Sequence, residues 1–319
     1  LPAPAAAGAC PILPKGEGYE LDLVPTAPET DICSQAKSTA INGQVMVLIG
    51  DKAVFVEPTR KESMMSQMLE SLMKFNVNNI LLVATDPVAL ANGKLWIAYA
   101  KEKGITLHTL QYSVPLPPLL AHRDVREQQS AKKFPVLRDL LQCGVSLLLS
   151  DFDVLFWDNP FLHIHGDSDI EGMTDGWDYN TYYGFEVRIH TPPWTSDPWE
   201  WRVVFLNSGF FYIRSSNRTV NAMAATWDML SKENIWDQAA FNAQVRAPLG
   251  TKKKGRLHGW GLRIRVMEPY IFSNSKVFHQ TVSPNTQHSH FNPNEKTMPV
   301  EFKWPTPWGR PGAMHVNYH

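Results

Sequence analysis

The sequence predicts an α/β fold, a mostly parallel central sheet flanked by helices, on three observations. Apolar runs of strand length alternate with segments of helical periodicity between residues 44 and 150, the order produced by strands joined through right-handed crossovers. The runs at 44–50, 80–84 and 145–150 are largely apolar at successive positions rather than alternate ones, as strands covered on both faces are. Each leads into an aspartate, Asp51, Asp86 or Asp151, and so delivers a carboxylate to the sheet's carboxyl edge, where open α/β sheets bind ligands.

The elements follow in order. After the strand at 44–50, a helix over 62–75 carries Met65, Met68, Leu69, Leu72 and Met73 at helical spacing, a stripe that reads as core. A strand over 79–86 leads through Pro87 into a helix reaching about Gly104, and a short strand spans 105–110. Beyond the Pro-rich break at 114–118, a helix over 133–143 feeds the strand at 145–150. From Phe161 the texture changes. Residues 162–202 are rich in His, Asp, Gly, Trp and Pro and hold one strand candidate at 182–187; so long an irregular segment in a compact protein is usually functional or mobile. Sheet character resumes over 203–213, helices follow at 217–230 and 237–245, and late strands at 263–267 and 276–282. Lys252, Lys253 and Lys254 read as a solvated loop, and no internal repeat is present. The organisation expected is a Pro- and Ala-rich arm over 1–40 and a single domain over 41–319.

Composition narrows the function. At 319 residues and 44% hydrophobic, the chain can bury a large core. A net charge of −1 provides no electrostatic footprint for nucleic acid, which is not an expected partner. No run of 18 apolar residues occurs, so no helical membrane span is predicted. The opening, Leu1-Pro2-Ala3-Pro4, lacks Met and a basic segment and reads as a tether or cut point, with natural sequence expected beyond both ends. Three cysteines argue against a disulfide framework: Cys10 and Cys33 can pair in a secretory setting, and Cys143 reads as a buried thiol. Asn217-Arg218-Thr219 is the one Asn-x-Ser/Thr sequon, a candidate for glycosylation.

The chemistry centres on Asp151-Phe152-Asp153. In extended geometry residues i and i+2 point the same way, so both carboxylates converge at the strand tip. Like charges that close require a cation or a shared proton, and a hard divalent ion facing a phosphate-bearing substrate is the natural compensator. A bare Asp-x-Asp also closes strands into turns, but the buried run before it and Val154-Leu155-Phe156-Trp157 after it exceed what a solvated turn needs. Other groups can join the pair. Alternation over 313–319 sets His315, Asn317 and His319 on one face, either metal or phosphate ligands or a satisfied polar cluster. Asn207-Ser208-Gly209 offers an amide for a sugar hydroxyl beside a Gly that permits close approach, or a β-bulge. Asp237, with Gln238, opens a helix, where capping is its simplest role. Lys132 and Lys133 either reach phosphates or form a solvated charge pair. Trp177, Tyr179, Tyr182, Tyr183, Trp194, Trp199 and Trp201 suit stacking on sugar faces, with hydrophobic packing the alternative for most.

Together these blocks resemble a known family. Leu149-Ser150-Asp151-Phe152-Asp153-Val154-Leu155-Phe156-Trp157-Asp158-Asn159-Pro160-Phe161, Leu206-Asn207-Ser208-Gly209-Phe210-Phe211-Tyr212-Ile213-Arg214 and Ile235-Trp236-Asp237-Gln238-Ala239-Ala240-Phe241-Asn242 are similar to blocks of nucleotide-diphospho-sugar transferases, specifically glycosyltransferase family 77. Ser273-Asn274-Ser275-Lys276-Val277-Phe278 and His315-Val316-Asn317-Tyr318-His319 look most like its extensin (hydroxyproline-rich glycoprotein) arabinosyltransferase branch. The resemblance implies a GT-A type Rossmann-like fold with a nucleotide-binding half at 41–161 and an acceptor-binding half at 162–319. It also implies a UDP-sugar donor, Mn²⁺ (or Mg²⁺), retention of anomeric configuration, and a type II membrane protein of the Golgi or ER lumen whose anchor lies outside this chain. Asp151, Asp153 and His315 would hold the metal. Asp51, Asp86, Lys132, Lys133, Asp151 and His319 would face the donor, with Asn207, Asp237 and Gln238 at the transferred sugar and acceptor hydroxyl.

Phe152, where Val or Thr is usual, and the insertion at 162–202 depart from the family pattern. The expected reaction moves L-arabinofuranose, or else galactose or xylose, onto a glycan of a hydroxyproline-rich, extensin-like glycoprotein. The rivals are a glycoside hydrolase using Glu186 with an Asp and a non-catalytic carbohydrate-binding protein.

Overall fold

The structure, a computed structural model, describes residues 31–176, 185–189, 199–245, 260–268, 271–274 and 313–315. In chain order the strands are β1 (Gln44–Gly50), β2 (Ile80–Ala84), β3 (Leu107–Gln111), β4 (Ser146–Ser150), β5 (Val154–Phe156) and β6 (Ile170–Thr174). There follow β7 (Phe185–Ile189), β8 (Trp199–Val203), β9 (Leu206–Ile213), β10 (Ile264–Val266), β11 (Phe272–Asn274) and β12 (Ala313–His315). The helices are α1 (Asp31–Thr39), α2 (Met64–Lys74), α3 (Pro87–Glu102), α4 (Pro118–Ala121), α5 (Val125–Ala131), α6 (Lys133–Gln142), α7 (Asn217–Lys232) and α8 (Asp237–Val245).

A seven-stranded sheet runs β10-β6-β9-β4-β1-β2-β3. All its strands are parallel except β9, which lies antiparallel to both β4 and β6. Strands from both expected halves of the domain therefore share one sheet. Alternation along the strands builds two cores. Val45, Val47, Leu147 and Leu149 face one layer, with Phe134 and Leu137 of α6, Met223 of α7 and Phe241 of α8. Met46, Leu48, Leu82 and Leu148 face the other, with Met65, Met68 and Leu72 of α2 and Trp96 of α3. The methionine stripe is core: Met65 and Met68 are at most 1% exposed, each such burial contributing roughly 1.5–3 kcal/mol.

Several expectations are corrected. The segment at 162–202 is less irregular than its composition predicts: β6 occupies a fully buried position in the sheet, and β7 and β8 form a separate antiparallel ribbon. Two short helices, α4 and α5, fill the stretch after the Pro-rich break. Asp31–Thr39, expected in the arm, form α1, whose Cys33 and Ala36 enter the core. Cys33 pairs neither with Cys10 nor stays reduced; it forms a disulfide with Cys143, Cα–Cα 5.0 Å. Cys143 is thus no free thiol. Cys10, Lys252–Lys254, the strand expected at 276–282, Trp177, Tyr179, Tyr182, Tyr183, Trp194, Asn317 and His319 lie outside the described residues. Glu186 of β7 pairs in register with Arg202 of β8, the strand that also carries Trp199 and Trp201.

Candidate active site at the tip of β4

β4 stops at Ser150 and the chain turns at 152–153. The Asp151 N–H donates to Gly209 O at 2.6 Å, fastening the tip of β4 to β9. Gly209 is needed there, because a Cβ would lie 2.4 Å from Asp151 Oδ2. Phe152 turns into the core on the α2/α3 side, edge-on to Phe55 with ring centroids 5.3 Å apart. Gly50, closing β1, lets it in: a Cβ there would meet Val54 at 2.3 Å and Phe152 at 3.0 Å.

On the opposite face, α6 begins with Lys133, whose side chain is buried at 4% exposure. Its Nζ lies 2.8 Å from Asp237 Oδ2 and donates to Ser208 Oγ at 3.2 Å. The same Asp237 oxygen accepts from Ser130 Oγ at 2.7 Å and from Ser208 Oγ at 3.0 Å. Burial alone would lower the pKa of Lys133, but attraction by Asp237, Asp151 and Asp153 outweighs it and holds the ammonium above its ordinary value. Burial likewise pushes Asp237 up, and Lys133, Ser130 and Ser208 bring it below the usual carboxylate range. Asp151 and Asp153 act on the same ammonium from the tip of β4, and their oxygens are donors of the kind that hold a hard divalent cation.

Around this pair the polar groups are fixed. Asn207 Oδ1 accepts the Gly209 N–H at 2.7 Å. Gln238 accepts the Ser208 N–H at 3.2 Å and donates to Asp175 Oδ2 at 3.1 Å, tying β9 to the end of β6. Asn242 imitates a strand partner, accepting from Leu206 N and donating to Leu206 O at 2.8 and 2.7 Å, and so seats α8 on β9. Arg123, 7% exposed, donates to the carbonyls of Leu230, Glu233 and Ile235, gathering the end of α7 and the turn that leads into α8.

The structure thus brings together Asp151, Asp153, Lys133, Asn207, Asp237 and Gln238. Asp51 and Asp86 sit at the same edge, one and two strands away. Asp51 Oδ1 accepts the Ala53 N–H at 2.9 Å. Asp86 caps α3, accepting from Val88, Ala89 and Lys52 N–H; despite some burial, these bonds hold its pKa below the ordinary value. Lys132 turns aside to Gln129 Oε1 at 3.1 Å. The two lysines are therefore no solvated pair. β12 pairs antiparallel with β5, setting His315 in register opposite Val154, the residue after Asp153. No group of three metal-ligating side chains occurs among the described residues. A cleft of about 700 Å³ opens beyond β1, walled by Val54, Val56, Arg60, Lys61, Ser63 and Phe152. Ser130, Ser208, Asp175, Asn242 and Arg123 were not foreseen; of these, Ser208, inside the Asn207–Gly209 block, and Asn242, ending the Ile235–Asn242 block, carried a sequence signal.

An open sheet with one reversed strand beside the strand that ends in paired acids, flanked by a cleft, places a ligand site at the carboxyl edge of the sheet. Residues 121–319 match the model of the nucleotide-diphospho-sugar transferase family, and the chain belongs to that family. It is 33% identical over 287 residues to arabinosyltransferase RRA2 of Arabidopsis thaliana, covering 89% of this chain and 58% of that protein. It is 39% identical over 192 residues to arabinosyltransferase RRA1 of the same plant, covering 60% and 42%. The chain thus spans about half the length of these relatives. Among solved structures, mouse xyloside xylosyltransferase 1 aligns over 86% of this chain and 98% of its own, at 12% identity and TM-score 0.44. The WbbM bifunctional glycosyltransferase aligns over 86% and 46%, at 10% identity and TM-score 0.48.

Proposed function

We propose that the protein is a retaining, metal-dependent glycosyltransferase that moves L-arabinofuranose from its UDP-sugar to a glycan on a hydroxyproline-rich, extensin-like glycoprotein. The observation that carries the transferase reading is the meeting of Asp151 and Asp153 with the Lys133–Asp237 pair at the tip of β4; the arabinosyltransferase relatives support the sugar. Asp151 and Asp153, with His315, would hold Mn²⁺ or Mg²⁺. Such an ion, when bound, supplies Lewis-acid stabilisation of the leaving diphosphate.

The protein's own residues do the rest. The cleft beside Phe152, with an apolar wall and the cations of Arg60 and Lys61, accepts the nucleotide. Asn207 and Gln238, fixed by backbone bonds, orient the transferred sugar. Asp237, kept ionised by Lys133, accepts a hydroxyl hydrogen bond. In the reaction the bond from the anomeric carbon to phosphate oxygen breaks with its electron pair leaving on UDP. The acceptor hydroxyl oxygen bonds to that carbon, and its proton passes to the departing diphosphate oxygen. The Cys33–Cys143 disulfide supports work in an oxidising compartment, the Golgi or ER lumen.

The test is UDP release from UDP-L-arabinofuranose, UDP-galactose and UDP-xylose, with hydroxyproline-linked arabinosides as acceptors, with and without EDTA. Asp153→Asn is expected to lower transfer on the order of 10²–10³-fold while the thermal midpoint stays near wild type. Full activity of that variant at saturating Mn²⁺, or transfer that survives EDTA, overturns the assignment.

A further inference from the structure

We propose that Trp236 is the acceptor platform, its indole stacking on the C–H face of the acceptor's sugar ring beside the attacking hydroxyl. This rests on the transferase reading above and deepens it. Trp236 is 55% exposed, whereas Phe210, Phe211 and Phe241 of the adjoining β9 and α8 are fully buried. An exposed indole one residue from Asp237 offers a flat apolar face with a polar edge beside the charged cluster.

The backbone beneath it is held on both sides. Ile235 O accepts from Arg123 at 2.7 Å, and the Ile235 N–H donates to Glu233 O at 3.0 Å. Trp236 O accepts the Ala240 N–H at 2.9 Å. The next residue, Asp237, is pinned by Lys133, Ser130 and Ser208. Arg123 just before α5 and Ser130 near its end therefore bracket residues 235–237. A flat ring with two side-chain torsions on such a fixed base loses little entropy when a ligand stacks on it.

Its place selects the second substrate rather than the donor. The cleft walled by Phe152 and Met65 lies on the α2/α3 face of the sheet. Trp236 enters α8, on the opposite face, one residue from the carboxylate that shares Lys133 with the acidic pair. A saturated ring lying on the indole there brings its hydroxyls to the rim of the charged cluster. Sugar rings suit that surface because their axial C–H bonds meet the electron-rich indole face while the hydroxyls stay at the edge.

The test compares wild type, Trp236→Ala and Trp236→Phe with a hydroxyproline-linked arabinoside as acceptor and saturating UDP-L-arabinofuranose. For Trp236→Ala, the KM for the arabinoside is expected to rise about threefold to tenfold, with the donor KM unmoved. Trp236→Phe is expected to recover most of that loss. An unchanged acceptor KM, a donor KM that rises in parallel, or an effect confined to an unglycosylated hydroxyproline peptide overturns the proposal. Calorimetric titration of the arabinoside separates the two readings. A wild type that binds it but releases no UDP overturns the transferase assignment alone, and equal binding by wild type and Trp236→Ala overturns the platform alone.

Discussion

Lys133 is a cation placed among carboxylates, and the consequences of removing it follow from burial. Lys133→Met leaves Asp237, 10% exposed, as an uncompensated buried charge, a change that costs about 3–5 kcal/mol. The double variant Lys133→Met/Asp237→Asn removes both charges and is expected to regain most of that stability without regaining transfer. Urea unfolding and UDP release on the same samples check both halves; equal losses in single and double variants would contradict the pairing. The pH dependence has a definite sign. Asp237 has a lowered folded pKa, so its contribution is present above its unfolded value near about 4 and fades as pH falls toward the folded one. Lys133 has a raised folded pKa, so its contribution is complete below its unfolded value near about 10.4 and is lost only as pH rises through the folded one. Unfolding measured from pH 3 to 6 is expected to show an acid limb that Asp237→Asn flattens. The acids at 151 and 153 were legible in sequence because they end an apolar run. The burial of Lys133 was not, because its compensating carboxylate lies in another helix, far along the chain.

At the scale of elements, the active tip is a seam between β4 and β9. Gly209→Ala tests that seam: the added methyl would sit 2.4 Å from Asp151 Oδ2 and 2.9 Å from its Cγ. The carboxylate must move, and displacement of that order is expected to lower transfer on the order of 10²-fold. Stability should hold within about 1 kcal/mol, since Ala in a strand gains over Gly; steady-state rates and thermal midpoints distinguish this from unfolding. The same scale explains which elements the sequence disclosed. β1, β2 and β4 are apolar at nearly every position because helices cover both their faces, a pattern that survives reading without coordinates. β6 is equally buried, yet its Ile-Glu-Gly-Met-Thr sequence has no such pattern. Its Glu171 is satisfied by the N–H groups of His165 and Gly166, bonds that exist only once the chain has folded back. α5 was hidden for a similar reason: its role is to present Ser130 to a helix more than a hundred residues later.

Across the whole molecule, the Cys33–Cys143 bond joins α1 to the end of α6 over 110 residues. A pairing at that separation leaves no local trace, so three unspaced cysteines could not announce it. The closed loop restricts the unfolded chain, and a bridge of this span contributes about 4–5 kcal/mol on the chain-entropy account. Lys133 starts α6 and Cys143 follows its end, so the bridge and the active tip are separated by the helix length, roughly 15 Å at 1.5 Å per residue. Loss of the bond should therefore lower stability without changing the site directly. Cys143→Ser and Cys33→Ser are each expected to move the urea midpoint down by the same amount, and dithiothreitol to do the same to wild type while leaving either variant where it was. Cys10→Ser is expected to leave the midpoint unchanged. UDP release per folded molecule, measured well below each midpoint, should match wild type in all three. A Cys10→Ser variant that loses as much as Cys33→Ser would instead assign the bridge to the N-terminal pair and detach α1 from α6.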